Sequence, residues 1–186
     1  MLILASNSPR RKELISRYIT RDFIVVPSSY NEEIDPNLSI IENNLLTAVN
    51  KGMDVSKKYP DDVVISADTM VVFNNKIFGK PSNVEEAKKF LREFSNNEHQ
   101  VITSYFIKYK DKNISKTILS TVKFKPLSEK FIDEYVASDS PLDKAGAYGI
   151  QDPMMEDKIE YYKGSLTNII GLPMDELITD LKSFNL

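Results

Sequence analysis

The pattern of apolar and polar positions predicts strands and helices that alternate along the early part of the chain. Apolar or alternating runs, which are typical of β-strands, occur at residues 2–5, 23–26, 63–72, 100–109, 115–124, 157–161 and 166–170. Helical spacing of apolar residues occurs at 9–18, 39–58, 84–94, 128–137 and 174–184. This order favours an α/β fold built on a mixed sheet.

Two β-hairpins are predicted in the middle of the chain. Two long strands flank a polar turn at 110–113, and a shorter hairpin occupies 71–78. After it, Ser82 and Glu85 have the Ser-x-x-Glu spacing of a capping box, in which each side chain bonds the backbone N–H of the other residue. We therefore expect Ser82 to begin the helix at 84–94.

The start of the first helix carries an unusual charge. Ser8 suits the N-cap, and Pro9 suits the first helical position, where a missing N–H costs nothing. The first turn then contains three cations, Arg10, Arg11 and Lys12. Because the helix dipole disfavours cations there, an anion bound by the free N–H groups and the guanidinium groups would account for them. The pattern predicts a phosphate site; the alternative is a solvated basic face.

The composition excludes several classes of site. The chain has no cysteine, which excludes disulfides, thiolate zinc sites and cysteine nucleophiles. His99 is the one histidine, so a zinc site with several histidines is excluded, and a Ser-His-Asp triad would have to use this residue. We interpret His99 as structural or edge-binding. Catalysis is expected to depend on carboxylates, Lys or Arg, and an oxygen-ligated metal.

The overall charge argues against a polyanionic partner. Charged residues make up 27% of the 186 residues and the net charge is −3, so no global pattern favours a nucleic acid or an anionic membrane. No apolar run approaches the length of a membrane span, and no signal peptide is visible. We expect a soluble cytoplasmic protein with a single domain over residues 1–186, which leaves room for two lobes.

An acid stands inside the apolar strand at 63–72. Asp is depleted in strands, and a carboxylate between apolar neighbours must be paired, hold a cation or reach a cleft. Asp68 is therefore a candidate for chemistry, and Thr69 adds a second oxygen beside it. The alternative is an Asp68 that only bonds a neighbouring turn. Taken alone, Lys51 and Glu32 are typical of a solvated surface.

A later segment, 141–151, combines two glycines and two alanines around Lys144, which is typical of a loop whose backbone approaches another group closely. Gln151 ends this loop, and its amide suits the edge of a nucleotide base. The turn Gly79-Lys80-Pro81 presents a lysine at a fixed point. Neither a P-loop nor a Gly-x-Gly-x-x-Gly motif is present.

Five ordered motifs resemble those of the Maf (septum formation) family of nucleoside triphosphate pyrophosphatases: Ser6-Asn-Ser-Pro-Arg-Arg11, Ala67-Asp68-Thr69, Gly79-Lys80-Pro81, Asp143-Lys-Ala-Gly-Ala-Tyr-Gly-Ile-Gln151 and Gly171-Leu172-Pro173. The resemblance spans essentially the full chain. It implies an α/β fold shared with the inosine triphosphate pyrophosphatases: a mixed, strongly twisted sheet with flanking helices and two lobes around a central cleft. It also implies hydrolysis of a nucleoside triphosphate to the monophosphate and pyrophosphate, a divalent metal cation (Mg²⁺ or Mn²⁺), and a homodimer.

The resemblance assigns roles to individual residues. Asp68 matches the catalytic acid, acting as the general base that activates water, and Glu32 and Asp68 match the positions near the metal. The positions that bind substrate and phosphate are Ser8, Arg10, Arg11, Lys51, Lys80 and Lys144. The positions associated with base choice are Arg10, Thr69 and Gln151.

The loop that ends at Gln151 resembles the branch of the family that hydrolyses dTTP and UTP. That branch usually has Gly next, whereas this chain has Asp152-Pro153, a departure that concerns substrate preference rather than the reaction. One alternative is the same reaction on 7-methyl-GTP or other modified nucleotides, which Lys144 and Gln151 disfavour. Another is a non-catalytic nucleotide-binding regulator of cell division. Asp68 disfavours it, because a binding site gains nothing from an added anion near phosphates unless a metal is held.

Overall fold

The computed structural model describes residues 1–138 and 141–184, which form two compact units. Of the described residues, the first unit comprises 1–69, 103–118 and 171–184, and the second comprises 70–102, 119–138 and 141–170. A single domain over the whole chain and a central cleft stay predictions.

The described residues contain seven strands: β1 Leu2–Leu4, β2 Ile24–Val25, β3 Val63–Phe73, β4 Lys76–Phe78, β5 Glu98–Tyr109, β6 Lys112–Phe124 and β7 Ile159–Lys163. They pair in the order β2-β1-β3-β5-β6-β7, and β4 pairs with β3. The pairs β1–β2 and β1–β3 are parallel, whereas β3–β4 and β6–β7 are antiparallel. The predicted mixed sheet is confirmed, as is the short hairpin at 71–78.

The helices of the described residues are α1 Pro9–Tyr18, α2 Ile40–Ser56, α3 Val84–Phe94, α4 Glu129–Ala137, α5 Leu166–Ile170 and α6 Met174–Ser183. Short 3₁₀ turns cover Pro141–Asp143, Ala145–Ala147 and Pro153–Lys158. Because the last of these turns extends to Lys158, β7 begins at Ile159, two residues after the predicted start of its strand at 157. None of the helices in 1–138 and 141–184 is long and apolar enough to cross a membrane.

The helix α3 begins at Val84 as predicted, but its capping residues differ from the predicted Ser82 and Glu85. Asn83 is the N-cap, and its side-chain oxygen accepts the backbone N–H of Glu86 at 2.9 Å. The Glu86 carboxylate in turn accepts the backbone N–H of Ser82 at 2.6 Å. Asn caps helices as well as Ser does, so the acid that serves this helix start is Glu86 and not Glu85.

Residues 166–170 form the helix α5, so the strand predicted there is wrong. The Ser165 hydroxyl accepts the backbone N–H of Asn168 at 3.1 Å, and the Ser165 carbonyl accepts that of Ile169 at 3.2 Å. Three consecutive side chains, from Asn168 to Ile170, are buried, which a strand with one buried face does not allow. The cap and the packing override the β-branched composition of the segment.

The core of the second unit is an aromatic cluster that contains His99. The rings of Phe94 and His99 stack with their centroids 4.5 Å apart, and His99 Nε2 lies 2.6 Å from the Tyr148 hydroxyl. Burial lowers the pKa of His99 to about 3, so the imidazole is neutral at physiological pH. The structural interpretation of His99 is confirmed.

Candidate active site

Asp68 lies on β3 with a buried carboxylate that has a partner on each oxygen. Lys51 Nζ lies 2.9 Å from Oδ1, and Asn44 Nδ2 donates to Oδ2 at 2.9 Å. Both partners come from α2, where they stand about two helical turns apart on the same face. Of the three situations expected for a carboxylate inside this strand, namely pairing, a bound cation or a cleft, the structure shows pairing.

The position of α2 follows from the packing of the first unit. Val55 near the end of α2 packs with Ile3 of β1 and Val64 of β3. Gly52 allows this close approach, because a Cβ there would lie 2.4 Å from the Phe106 ring and 2.5 Å from the Ser66 hydroxyl. The helix and the strand therefore meet closely enough for Lys51 to reach Asp68.

Lys51 joins two carboxylates. Its ammonium lies 2.7 Å from Glu32 Oε1 as well as 2.9 Å from Asp68 Oδ1. The Lys51 side chain is only 14% exposed, whereas that of Glu32 is 56% exposed. Lys51 therefore binds both the buried carboxylate of Asp68 and the exposed carboxylate of Glu32. The three residues are far apart in the sequence.

Asn44 was not among the residues that sequence reasoning selected. It is fully buried, and its Oδ1 accepts the Ser104 hydroxyl at 2.6 Å. Ser104 Oγ also lies 2.7 Å from Thr117 Oγ1. Asn is unfavourable in a helix interior because its side chain competes with the backbone, so an Asn inside the predicted helix at 39–58 was the indication that the sequence offered.

Arg11 is fixed by neutral oxygens around the N-terminus of α1. Its Nε donates to the Gly171 carbonyl at 2.8 Å, its Nη2 to Thr69 Oγ1 at 2.9 Å, and its Nη1 to Ser6 Oγ at 3.3 Å. Burial lowers the pKa of Arg11 from its ordinary value, and the nearby charge of Asp68 opposes this effect. A guanidinium remains charged in any case, so Arg11 is a fixed positive charge near the carboxylate of Asp68.

Ser8 and Arg10 complete the start of α1. The Ser8 hydroxyl accepts the backbone N–H of Arg11 at 3.4 Å, and Pro9 takes the first helical position, so the predicted cap is confirmed. The Arg10 side chain is half-buried, and its guanidinium makes no hydrogen bond or ion pair among the described residues. Of the two arginines, Arg10 is therefore the one with its donors available to an anion.

Thr69 follows Asp68 on β3 and lies among polar partners. Its hydroxyl receives the Arg11 hydrogen bond and lies 2.9 Å from Thr103 Oγ1. Because successive side chains of a strand point to opposite faces, Thr69 and Asp68 serve different surroundings. The first unit contains seven of the candidate residues. Lys51 joins Glu32 and Asp68, Arg11 contacts Ser8 and Thr69, and Arg10 precedes Arg11 on α1.

The other selected residues lie in the second unit. Lys80 is 68% exposed and its Nζ lies 3.9 Å from Asp143 Oδ1. The Gly79 carbonyl accepts the N–H of Gly146 at 3.1 Å, which ties this turn to the later loop. Gly146 has φ +71°, and a Cβ there would lie 2.9 Å from the Val71 side chain. Packing of the loop against β3 accounts for this glycine.

Gln151 stands at the tip of a turn, with its side chain exposed. The turn is closed by the hydrogen bond from Asp152 N to the Gly149 carbonyl at 3.1 Å. Lys144 is largely buried below it, with Nζ 3.6 Å from Asp152 Oδ2. The Tyr135 hydroxyl donates to the same oxygen at 2.5 Å.

A sequence model of one family, described as Maf-like protein, matches residues 1–184. The chain belongs to the Maf family. A Pyrococcus furiosus protein named dTTP/UTP pyrophosphatase is 41% identical over 177 residues, which covers 95% of this chain and 92% of that protein. A Cytophaga hutchinsonii protein of the same name is 41% identical over 185 residues, covering 99% and 84%.

Among solved structures, a HAM1 protein from Coxiella burnetii resembles this Maf protein with a TM-score of 0.51 and 10% identity, over 98% of each chain. At this identity the similarity concerns the fold alone, and it agrees with the predicted α/β class. In this Maf protein, the departure after Gln151 has a local explanation, since the Asp152 carboxylate joins Lys144 and Tyr135 under the turn.

Proposed function

We propose that this Maf protein hydrolyses nucleoside triphosphates to the monophosphate and pyrophosphate, with dTTP and UTP as its substrates. The observation that carries the proposal is the buried Asp68 carboxylate, whose lysine partner also binds Glu32. Both lie in the same unit as the cationic start of α1. The shared name of the relatives supports the reaction and the two substrates.

Asp68 is the proposed general base. Each of its oxygens accepts one hydrogen bond in the structure, and a carboxylate oxygen has two acceptor positions, so the group retains the capacity to accept a proton from water. The water attacks the α-phosphorus, its proton passes to Asp68, and pyrophosphate leaves with the electrons of the broken P–O bond.

Glu32 and Asp68 fit a divalent cation. Their oxygens converge on one ammonium at 2.7 and 2.9 Å, and carboxylates are ligands that Mg²⁺ and Mn²⁺ prefer. The described residues contain no group of three or more His, Cys, Asp or Glu side chains placed to hold a metal, so phosphate oxygens and water would supply the other ligands. A bound cation would neutralise phosphate charge and polarise the phosphoryl oxygen.

The cations of the candidate site are proposed to bind the triphosphate. Ser8 and Arg10 present a helix N-terminus and an unpaired guanidinium, a combination suited to phosphate. Lys51, Lys80, Lys144 and Arg11 supply further positive charge for the leaving pyrophosphate. For base choice we propose Arg10, Thr69 and Gln151, of which Gln151 has its amide exposed for hydrogen bonding. A homodimer and a cytoplasmic location stay predictions.

The experiment that tests the proposal is pyrophosphate release from a panel of nucleoside triphosphates that includes dTTP, UTP and 7-methyl-GTP. Each is measured with Mg²⁺, with Mn²⁺ and with a chelator. We expect metal-dependent release that is fastest with dTTP and UTP. Faster release from 7-methyl-GTP or another nucleotide would retain the reaction and overturn the specificity. Nucleotide binding without release from any substrate would favour the non-catalytic regulator.

A further inference from the structure

We infer that Asn44 is a positioning residue for Asp68, and that Ser104 and Thr117 hold Asn44 in its working orientation. The inference rests on the proposed function, because it assumes that the Asp68 carboxylate takes part in the reaction. Four side chains from four elements form a continuous series of hydrogen bonds: Thr117 Oγ1 to Ser104 Oγ at 2.7 Å, Ser104 Oγ to Asn44 Oδ1 at 2.6 Å, and Asn44 Nδ2 to Asp68 Oδ2 at 2.9 Å.

The direction of these hydrogen bonds is determined. An ionised carboxylate only accepts, so the amide must present its NH₂ group to Asp68 and its oxygen to Ser104. Ser104 has one hydroxyl proton and donates it to Asn44 Oδ1, so Thr117 must donate to Ser104. A flipped amide would place two acceptor oxygens against each other. The series therefore has one arrangement when Asp68 is ionised.

Burial makes this arrangement rigid. Asn44 and Ser104 are both fully buried, so water does not compete for their polar atoms, and an unpaired group there would be costly. Asn44 Nδ2 fixes Oδ2 while Lys51 fixes Oδ1. With both oxygens held, the plane of the carboxylate is set relative to any group that approaches it.

A merely structural role predicts a different outcome from a positioning role. If the series only stabilises the fold, its loss lowers the melting temperature and leaves kcat unchanged. If it positions Asp68, its loss lowers kcat, whereas KM and nucleotide affinity change little, because phosphate and base contact other side chains. The affinity for dTTP without added metal is the readout that does not depend on turnover.

The primary variant is Asn44→Leu, which removes the amide and keeps a similar volume. We expect kcat for dTTP to fall about 10- to 100-fold, which is typical for loss of a group that orients a reacting side chain. The metal-free dissociation constant for dTTP should stay within about twofold of wild type on the same argument.

Two hydroxyl positions provide milder variants for the case in which Asn44→Leu does not fold. Ser104→Ala leaves Asn44 Oδ1 without its donor, and Thr117→Val removes the outer donor, while Thr117→Ser keeps it. We expect a lower kcat for Ser104→Ala and Thr117→Val and recovery in Thr117→Ser. The Ser104→Ala effect should vanish when Asn44 is already Leu, because the two side chains act in series.

The matched control is Ser66→Ala. Ser66 is also a buried hydroxyl between α2 and β3, but it donates to the Ala48 carbonyl at 2.6 Å and not to Asp68. We expect a lower melting temperature with kcat within about twofold of wild type, as for loss of an ordinary buried hydrogen bond.

The outcomes separate this inference from the proposed function. If wild-type protein releases pyrophosphate, and Asn44→Leu, Ser104→Ala and Thr117→Val all keep wild-type kcat, the positioning role is wrong and the reaction stands. Equal loss of kcat in Ser66→Ala would also overturn the inference, since it would indicate a general packing effect. Absence of turnover in wild-type protein with every nucleotide would overturn the proposed function itself.

Discussion

Two buried aspartates of the first unit have closely similar partners and different surroundings. Asp68 and Asp180 are each 7% exposed. Asp68 pairs with Lys51 and accepts from Asn44, while Asp180 pairs with Lys116 at 2.5 Å and accepts the Tyr105 hydroxyl at 2.6 Å. Burial and an ion pair, taken alone, therefore do not distinguish a candidate catalytic carboxylate from a structural one.

The difference lies in how the lysine is shared. Among the described residues, Lys116 pairs with Asp180 and with no second carboxylate, and it is 46% exposed. Lys51 is sheltered and holds both Asp68 and the solvated Glu32. Asp180 thus shares its lysine with no other carboxylate of the described residues. Burial raises the pKa of the neighbouring Tyr105, and the hydrogen bond to Asp180 raises it further. Asp68 belongs to a group of three charges, one of which, the Glu32 carboxylate, is exposed to solvent.

The two lysines should differ strongly in their effect on turnover when each is removed. Lys51→Met should lower kcat for dTTP by about 10²- to 10³-fold, as for other groups that stabilise developing charge. Lys116→Met should leave kcat within about twofold and lower the free energy of unfolding by about 1–2 kcal/mol, because Lys116 is half-exposed. Steady-state kinetics and urea unfolding of both variants check this. A similar loss of kcat in both would remove the distinction.

A substitution in α2 should disturb the partners of Asp68 and leave those of Asp180. Gly52→Ala adds a Cβ that would lie 2.4 Å from the Phe106 ring, so the helix must shift from the sheet. We expect a loss of about 1–3 kcal/mol in the free energy of unfolding together with a lower kcat. Unfolding and turnover are measured on the same preparation. A stable variant with full activity would contradict the close packing proposed to place Lys51.

His99 is buried and has no ion pair among the described residues, so it should affect the stability of the protein and not its turnover. The pKa of His99 is about 3 in the folded protein against 6.5 ordinarily, so between these values the unfolded chain binds the extra proton. Stability from the neutral ring is complete above pH 6.5 and is lost as pH falls toward 3. The contribution falls by about 2 kcal/mol between pH 7.5 and 5.

Urea unfolding of wild type and His99→Phe across this pH range measures that contribution. The stability difference between the two proteins should change by about 2 kcal/mol in favour of the variant as the pH falls. A difference that is constant with pH would mean that His99 binds its proton with the same pKa in the folded and the unfolded protein.

The smallest expected effect concerns the second partner of Asp180. Tyr105→Phe removes one hydrogen bond to a carboxylate that keeps its lysine, so we expect a loss of about 1–2 kcal/mol in the free energy of unfolding. The kcat for dTTP should not change. Chemical unfolding and pyrophosphate release check both statements, and a fall in kcat comparable to that of Lys51→Met would make Asp180 part of the reacting group.

Local chemistry was predictable from the sequence, and contacts between distant elements were not. The cap at Ser8, the cations that follow it and the need of Asp68 for a partner, a cation or a cleft depend on neighbouring residues and on general rules of burial. The contact of Asn44 with Asp68 depends on how α2 lies on β3, which Gly52 determines through tertiary packing. The segments around Glu32 and Lys51 gave no indication of their contact, and only the family resemblance assigned both residues to one site.

In the second unit, too, contacts in the folded protein decide structure that the local sequence does not predict. The helix α5 depends on Ser165 as a cap, whereas the β-branched residues of that segment indicate a strand. Asp152 was visible as a departure from the family, but its contacts with Lys144 and Tyr135 required the folded loop. Propensity and motif spacing depend on residues that are close in the sequence, whereas these contacts depend on the folded structure.

The most direct test of the central claim is turnover of dTTP by Asp68→Asn, with Asp180→Asn as the matched control. Both variants remove one buried negative charge that is paired with a lysine. We predict that Asp68→Asn loses activity by about 10³-fold or more while it folds and still binds dTTP, and that Asp180→Asn keeps kcat within about twofold with a lower melting temperature. Full activity in a folded, uncontaminated Asp68→Asn protein would contradict the account.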